Sequence, residues 1–267
     1  IPRDTVNMVP QLTSAWVVRL VMFLVVSLWA SSVIEFLRKR AEKLHRETVE
    51  LTRVQHAAVG ALVDLAEMSD QEFTGLHSRR LGSYANVLCA ELALNARLHR
   101  NIVDTISMHD IGKVAIPDRV LMKPSQLEHD EWEIIKRHPI YGEQILDSIC
   151  AHAQATSESM VSYSNTAREI IANHHEKWDG SGYPRGLKGN DIPLSARVAA
   201  LCDVYDSLRS RRPYKNPYSH QESVKIIQES KGTHFDPQVV EAFEVVHHKF
   251  ASIWDELGEQ SSAVRRA

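Results

Sequence analysis

SARVAALCDVYDSLR, residues Ser195 to Arg209, decides how the chain is read. It holds no glycine or proline, and its apolar residues recur at three- and four-residue steps, so it reads as an amphipathic helix. One residue does not fit that pattern. Asp203 falls on a face otherwise made of Val198, Ala199, Leu201 and Cys202. A carboxylate among core residues needs a partner, and a metal ion or a histidine would supply one.

The flanking sequence yields more helices. They are expected over Leu76–Leu92 and Ala96–Asp110, over a segment starting near Asp130 (EWEIIKRHPIYGEQIL), and over Asn165–His175. Pro139 implies a kink or break in the third of these. Ser219 with Glu222 makes a capping box for a further helix. Asp236 followed by Pro237 is an N-cap with proline at the first helical position, opening the last one. The loop from Trp178 to Pro193 is rich in glycine and proline, and its Gly180, Gly182, Gly186 and Gly189 permit backbone conformations that other residues avoid. Residues 151–163 (AHAQATSESMVSY) are small and polar and read as an insertion or long loop, and residues 257–267 as a disordered tail. No run sustains period-two alternation, so the domain is expected to be all-α.

Toward the N-terminus, Ala15 to Ile34 reads AWVVRLVMFLVVSLWASSVI. About 20 apolar residues suffice to cross a bilayer as a helix. Arg19 is the one charge inside and lies near an end, where it can snorkel. Trp16 and Trp29 suit interfacial positions. Arg38, Lys39, Arg40 and Lys43 follow directly and mark the cytoplasmic side, which places Glu35 onward inside the cell. The expectation is a single-pass protein of the inner (cytoplasmic) membrane with its folded domain in the cytoplasm. A signal peptide fits less well, because its apolar core is shorter and ends at a small-residue cleavage site. A buried core helix would keep one polar face. Residues 38–68, with apolar steps through Leu44, Leu51, Val54, Ala58, Ala61, Leu62 and Leu65, read as a long connecting helix. It could pair with a second copy, giving a homodimer, or pack on its own domain. The expected division is thus 1–37 (membrane helix), 38–68 (connecting helix), 69–256 (catalytic domain) and 257–267 (tail). The chain begins at Ile1 and is expected to be a piece of something longer.

Composition narrows the function. At 267 residues with 24% charged residues and a net charge of −3, the chain has no field that would suggest binding to duplex DNA or RNA. Cys89, Cys150 and Cys202 are odd in number and form no C-x-x-C pair, which argues against a disulfide framework. Histidine is abundant, with 14 residues. His109–Asp110 and His174–His175 are doublets, and His77, His138 and Asp203 lie on other predicted helices. Neighbours on a helix point about 100° apart, so the His109–Asp110 pair can serve two adjacent sites with the carboxylate bridging them. Nitrogen and oxygen donors together suit Fe, Mn, Ni, Co or Zn without choosing among them. His45, His56, His99, His129, His152, His220, His247 and His248 have no such context and are read as solvated.

These residues also carry a resemblance. HDIGKVAIPD (109–118) resembles the H-D-x-G-K motif of the HD phosphohydrolases. HHEKWDGSGYP (174–184) is similar to the signature of the HD-GYP family, with Gly182, Tyr183 and Pro184 all present. IPLSARVAALCDVYDSLRSRRPYK (192–215) and GTHFDP (232–237) match further blocks, and the likeness extends over about residues 60–250. It implies an HD-type helical bundle and a metal-dependent phosphodiesterase that hydrolyses cyclic di-GMP to linear pGpG, with onward cleavage to GMP left open. The implied ligands are His77, His109, Asp110, His138, His174, His175 and Asp203, holding two divalent transition metal ions. Two such ions could share a hydroxide and hold it in line with phosphorus. Lys113 corresponds to the motif lysine, and Arg212 and Lys215 to positions that contact substrate phosphates. Tyr183 could stack on a guanine or simply anchor its loop. Some members have a glutamate four residues before the first ligand histidine, supporting a third metal. Here that position is Phe73, so two metals are expected; Asp70 is a weak substitute. Two other functions compete: a catalytically silent receptor for a cyclic dinucleotide or a protein, and an HD hydrolase acting on another nucleotide.

Overall fold

The computed structural model describes residues 8–68, 76–123, 125–153, 158–210 and 216–264. Among these the regular structure is helical, and the one β-type pairing is an isolated bridge between Lys231 and Phe235. The expectation of an all-α chain holds. Phe73, Asp70, Arg212 and Lys215 lie outside the described residues. So do the side chains of Leu51, Val54, Ala58, Ala61, Leu62 and Leu65, on which pairing through the connecting helix depends.

The chain divides into two units, Ile1–Val59 and Gly60–Ala267. One helix, α1 (Met8–Met68), contains both the apolar run and the connecting segment without a break. Nothing between Ile34 and Gly60 would stop a helix, since that stretch has neither glycine nor proline. Ala15–Leu44 is long and apolar enough to cross a membrane. Phe23, Leu28 and Trp29 on it are 70%, 69% and 68% exposed. Beyond the apolar run the cations pair with glutamates one turn away, as in Lys39–Glu35 at 2.8 Å and Arg38–Glu42 at 3.2 Å.

In the second unit, α2 (Leu76–Glu91), α3 (Ala96–Thr105), α7 (Glu158–Asn173), α8 (Leu194–Arg209), α9 (His220–Glu229) and α10 (Pro237–Val264) enclose the core. Between α3 and α7 lie α4 (Asp118–Leu121), α5 (His129–Ile135) and α6 (His138–Ala153). Helix α8 is the hub and contacts α2, α3, α7, α9 and α10. Its buried residues include Ala196, Val198, Ala199, Leu201, Cys202, Tyr205 and Asp206, so it is covered on more than the one face an amphipathic surface helix would bury. The core is closed by stacked and edge-on aromatics, with Tyr84 and Phe250 parallel at 4.5 Å and Tyr205 edge-on to Phe250 at 5.2 Å.

Several boundaries differ from the sequence reading. The helix expected to reach Asp110 ends at Thr105 and continues as 3-10 turns at Ile106–Met108 and Ile111–Ala115. The break expected at Pro139 falls two residues earlier, at Lys136–Arg137, and Pro139 occupies the first turn of α6, where its missing N–H costs nothing. Residues 158–163 belong to α7 rather than to a long loop, and 151–153 belong to α6. Polar contacts rather than an apolar stripe hold the start of α7: Arg97 Nη1 lies 2.6 Å from Glu158, and Asn101 Nδ2 donates to Ser162 at 3.0 Å. Helix α10 runs through to Val264. Both capping predictions hold. Ser219 and Glu222 form the reciprocal box, and Asp236 Oδ1 accepts from Gln238 N at 2.8 Å.

Candidate metal centre

Six helical elements converge on one place: five begin or end there, and α8 passes it at mid-length. His77 lies in the first turn of α2, and Asp203 projects from α8. His109 and Asp110 occupy the turn between the two 3-10 segments, His138 opens α6, and His174 and His175 follow the last turn of α7. The sharp turn at His109–Asp110 depends on Gly112. A Cβ on Gly112 would meet the His138 carbonyl oxygen at 1.9 Å and the Gly142 nitrogen at 2.5 Å, so only glycine lets this turn rest on the start of α6.

The donor atoms form two adjacent groups, Asp110 with His138, His174 and His175, and His77 with His109 and Asp203, each within 4.8 Å. Asp110 stands between them. Its Oδ1 is 3.2 Å from His138 Nε2 and 3.8 Å from His174 Nε2, while its Oδ2 is 3.1 Å from His109 Nε2. Asp203 Oδ1 faces His77 Nε2 at 3.6 Å and His109 Nε2 at 3.7 Å. The structure therefore brings together all seven residues singled out from the sequence.

Hydrogen bonds on the far side of each ring decide what the near side offers. Nδ1 of His109 lies 3.0 Å from the Ile106 carbonyl, that of His138 2.8 Å from Ile135, and that of His174 3.1 Å from Ile170. A carbonyl only accepts, so each Nδ1 carries a proton and each ring, when neutral, turns an Nε2 lone pair inward. His138 and His174 then aim two lone pairs at each other across 3.3 Å. His109 Nε2 and Asp110 Oδ1 are buried without a hydrogen bond. Buried acceptors facing acceptors are costly unless a cation lies among them. The residues present fit a metal ion, and imidazole with carboxylate is a donor set for divalent metals.

The electrostatics agree. Burial, then the neighbouring His175 and His109, hold His174 well below the usual histidine range. Burial and His138 push His175 down to about 3. Both rings are neutral and able to donate. Burial would also lower His109, but Asp110 and Asp203 outweigh it and push it up to about 9, so without a cation beside it this ring takes a second proton at Nε2, the position a metal ion would occupy. Burial opposes ionisation of Asp110, yet Lys113 and His109 hold it well below the carboxylate range. Lys113 Nζ is 2.7 Å from Asp110 Oδ2.

Two further residues were missed from the sequence. Asp206, fully buried on α8, lies 2.8 Å from His77 Nδ1 and accepts Arg80 through both oxygens at 2.6 and 2.7 Å. It orients His77 as the carbonyls orient the other rings. Its spacing of three from Asp203 was the available signal, because i and i+3 share a helix face. Glu176, 2% exposed, accepts the backbone N–H groups of Arg185 at 2.7 Å and Leu187 at 3.0 Å and so closes the loop that follows the histidine doublet.

That loop is tied down at several points. Gly182 is needed for close approach: a Cβ there would lie 2.3 Å from Lys177 N and 2.6 Å from His175 O. Its φ is not among the positive ones, unlike those of Gly180, Gly186 and Gly189, so the expectation of special backbone freedom does not hold at this position. Tyr183 stacks on His175 with centroids 4.7 Å apart, and the Tyr183–Pro184 peptide is cis. Trp178 N donates to His234 O at 3.0 Å, and Arg197 joins Asp236 at 2.6 Å while lying 5.5 Å over the Trp178 ring. Of the histidines read as solvated, His220 and His247 are partnered instead, with His220 between Tyr205 Oη at 2.8 Å and His247 Nδ1 at 3.0 Å.

Imidazole and carboxylate donors turned toward one another inside an all-helical domain define a helical protein with a candidate metal centre. The family model described as HD domain matches residues 60–239, and the chain belongs to that family, in the HD-GYP branch whose signature is Gly182–Tyr183–Pro184. It is 44% identical over 227 residues to a Vibrio cholerae protein named "Probable cyclic di-GMP phosphodiesterase", covering 82% of this chain and 50% of the relative. It is 43% identical over 212 residues to a V. cholerae "Cyclic di-GMP phosphodiesterase", covering 76% of this chain and 42% of that one. It is 38% identical over 209 residues to the V. cholerae "3'3'-cGAMP-specific phosphodiesterase 2", covering 78% and 37%. The chain thus spans half the length, or less, of these relatives.

Proposed function

We propose that this chain is a metal-dependent phosphodiesterase that hydrolyses cyclic di-GMP to pGpG. The observation that carries the reading is the set of inward-facing Nε2 atoms of His109, His138 and His174 around Asp110. His77, His109 and Asp203 would hold one divalent ion, and His138, His174 and His175 a second, with Asp110 shared between them. When bound, such ions supply Lewis acidity toward a phosphate oxygen and lower the pKa of water toward neutrality. The chain's own contribution is positional. Backbone carbonyls and Asp206 fix the rings, Lys113 keeps Asp110 ionised, and its ammonium is placed to neutralise charge that builds on a phosphate oxygen. Arg212 and Lys215 belong to the proposal as contacts for the second phosphate, and Gly182, Tyr183 and Pro184 as the wall of the substrate pocket.

The names of the relatives support a cyclic dinucleotide as substrate, and the cGAMP-specific one makes 3'3'-cGAMP the second candidate. The test is to incubate the purified protein with each dinucleotide and Mn or Fe under reducing conditions and to follow products by chromatography, with Asp110→Ala as control. Formation of pGpG by the wild type alone is expected. Binding without product would favour a receptor, and equal turnover by Asp110→Ala would overturn the assignment.

The proposal extends to organisation. The helix around residues 15–34 anchors the chain in the cytoplasmic membrane, the basic cluster at Arg38–Lys43 faces the cytoplasm, and residues 69–256 form the catalytic domain. Recovery of the intact protein in the soluble fraction without detergent would refute the anchor. Pairing of two chains through residues 40–68 belongs to the same proposal, and a monomer by light scattering in detergent removes it.

A further inference from the structure

Trp132 is a large aromatic that folding leaves in solvent beside the metal centre. It is 44% exposed. It lies on α5, whose start is fixed by a reciprocal capping box between Glu128 and Glu131, with Lys123 Nζ 2.6 Å from Glu131. The backbone that carries the indole is therefore held in place. Its ring meets Tyr183 nearly edge-on, with centroids 6.3 Å apart and an interplanar angle of 77°. Tyr183 in turn stacks on His175, a member of the Asp110 cluster. Three rings thus lead from the candidate metal centre outward, and the last retains open surface.

We propose that Trp132 is the stacking platform for one purine base of the dinucleotide whose phosphodiester is cleaved at the centre. The inference rests on the proposed function. A diester held among the imidazoles and Asp110 carries its nucleosides out of that pocket, and each base lies one sugar away from the phosphorus. Tyr183 already spends one face on His175, so its free surface is limited. Trp132 has the larger π surface and the greater exposure. Stacking on an indole reads no exocyclic group, so Trp132 contributes affinity for guanine and adenine alike rather than selecting between them. A different role, as a brace for Tyr183, makes opposite predictions, because a displaced Tyr183 would disturb His175 and with it turnover.

The test uses the detergent-solubilised full chain with Mn. Steady-state hydrolysis of cyclic di-GMP is compared for wild type, Trp132→Ala and Trp132→Phe. The expected result for Trp132→Ala is a KM raised about tenfold, equivalent to roughly 1.4 kcal/mol of lost stacking, with kcat within about twofold of wild type. Trp132→Phe should fall between. Titration with the product pGpG should quench tryptophan emission in the wild type, and the quench should be lost in Trp132→Phe. A Trp132→Ala protein with lowered kcat and unchanged KM, or a quench that survives in Trp132→Phe, overturns the assignment while leaving the phosphodiesterase reading intact. A wild type that neither turns over nor binds the dinucleotide overturns both.

Discussion

Nε2 of His138 and Nε2 of His174 face each other at 3.3 Å while both Nδ1 atoms are engaged by backbone carbonyls. Neither nitrogen can donate to the other in that arrangement. Adding metal should therefore stabilise the fold. At about 100 times its dissociation constant a ligand that binds only the native state contributes about 2.7 kcal/mol. Differential scanning fluorimetry with and without Mn, and after chelation, should show a reversible rise in Tm. An unchanged Tm would mean that these rings are a closed internal pair.

Asp206 tests how the site is held. Changing it to asparagine leaves the Arg80 guanidinium buried against a neutral group and weakens its grip on His77. Removing one partner of a buried ion pair costs about 3–5 kcal/mol, and loss of such a supporting carboxylate about 10–100-fold in metal affinity. Denaturant unfolding and metal titration of Asp206→Asn should show both effects. A stable variant with unaltered affinity would reduce Asp206 to packing.

Gly182 and Gly189 make a contrast within one loop. A methyl group at Gly182 runs into the backbone of Lys177, Glu176 and His175, whereas at Gly189 nothing lies within 4 Å. Gly182→Ala is expected to cost about 1–3 kcal/mol as overpacking and to impair metal binding through His175. Gly189→Ala, at φ 58, carries only backbone strain of about 1 kcal/mol and should leave metal binding unaltered. The two Tm values and metal affinities distinguish these outcomes; equal effects would contradict the close approach.

His220 predicts a pH dependence away from the metal centre. Burial, then His247 and Arg209, lower its pKa below 6.5, with Asp255 opposing. Tyr205 Oη and His247 are its hydrogen-bond partners. A histidine held below its unfolded value favours the folded state when neutral, so its contribution is present above about pH 6.5 and is lost as pH falls through the lower folded value. Tm of the wild type should drop more steeply than that of His220→Gln between about pH 7 and pH 5. Parallel curves would remove the effect.

Much of this was legible in the sequence because chemistry and periodicity coincide there. Asp203 is conspicuous on α8 as a charge among apolar residues, and the ligand doublets stand out as adjacent donors. Capping at Ser219 and Asp236 is local, so it needs only neighbouring residues to be read. What escaped depends on long-range contact. Asp206 acts through partners 126 and 129 positions away, and Glu176 acts through backbone groups that become neighbours only when the loop closes. The first turn of α7 has no apolar stripe to announce it, since Arg97 and Asn101 of α3 hold it by polar contacts. His220 and His247 read as solvated in the sequence because they are 27 positions apart and only α9 and α10 bring them together.

The most direct measurement is the metal content of the purified, metal-replete full chain, by elemental analysis and anomalous scattering, for wild type and for Asp110→Ala. Two transition metal ions per chain are predicted, one beside His77, His109 and Asp203 and one beside His138, His174 and His175, with both weakened when Asp110 is removed. A chain that binds no ion at these residues, or that keeps two ions undiminished without Asp110, would contradict the account.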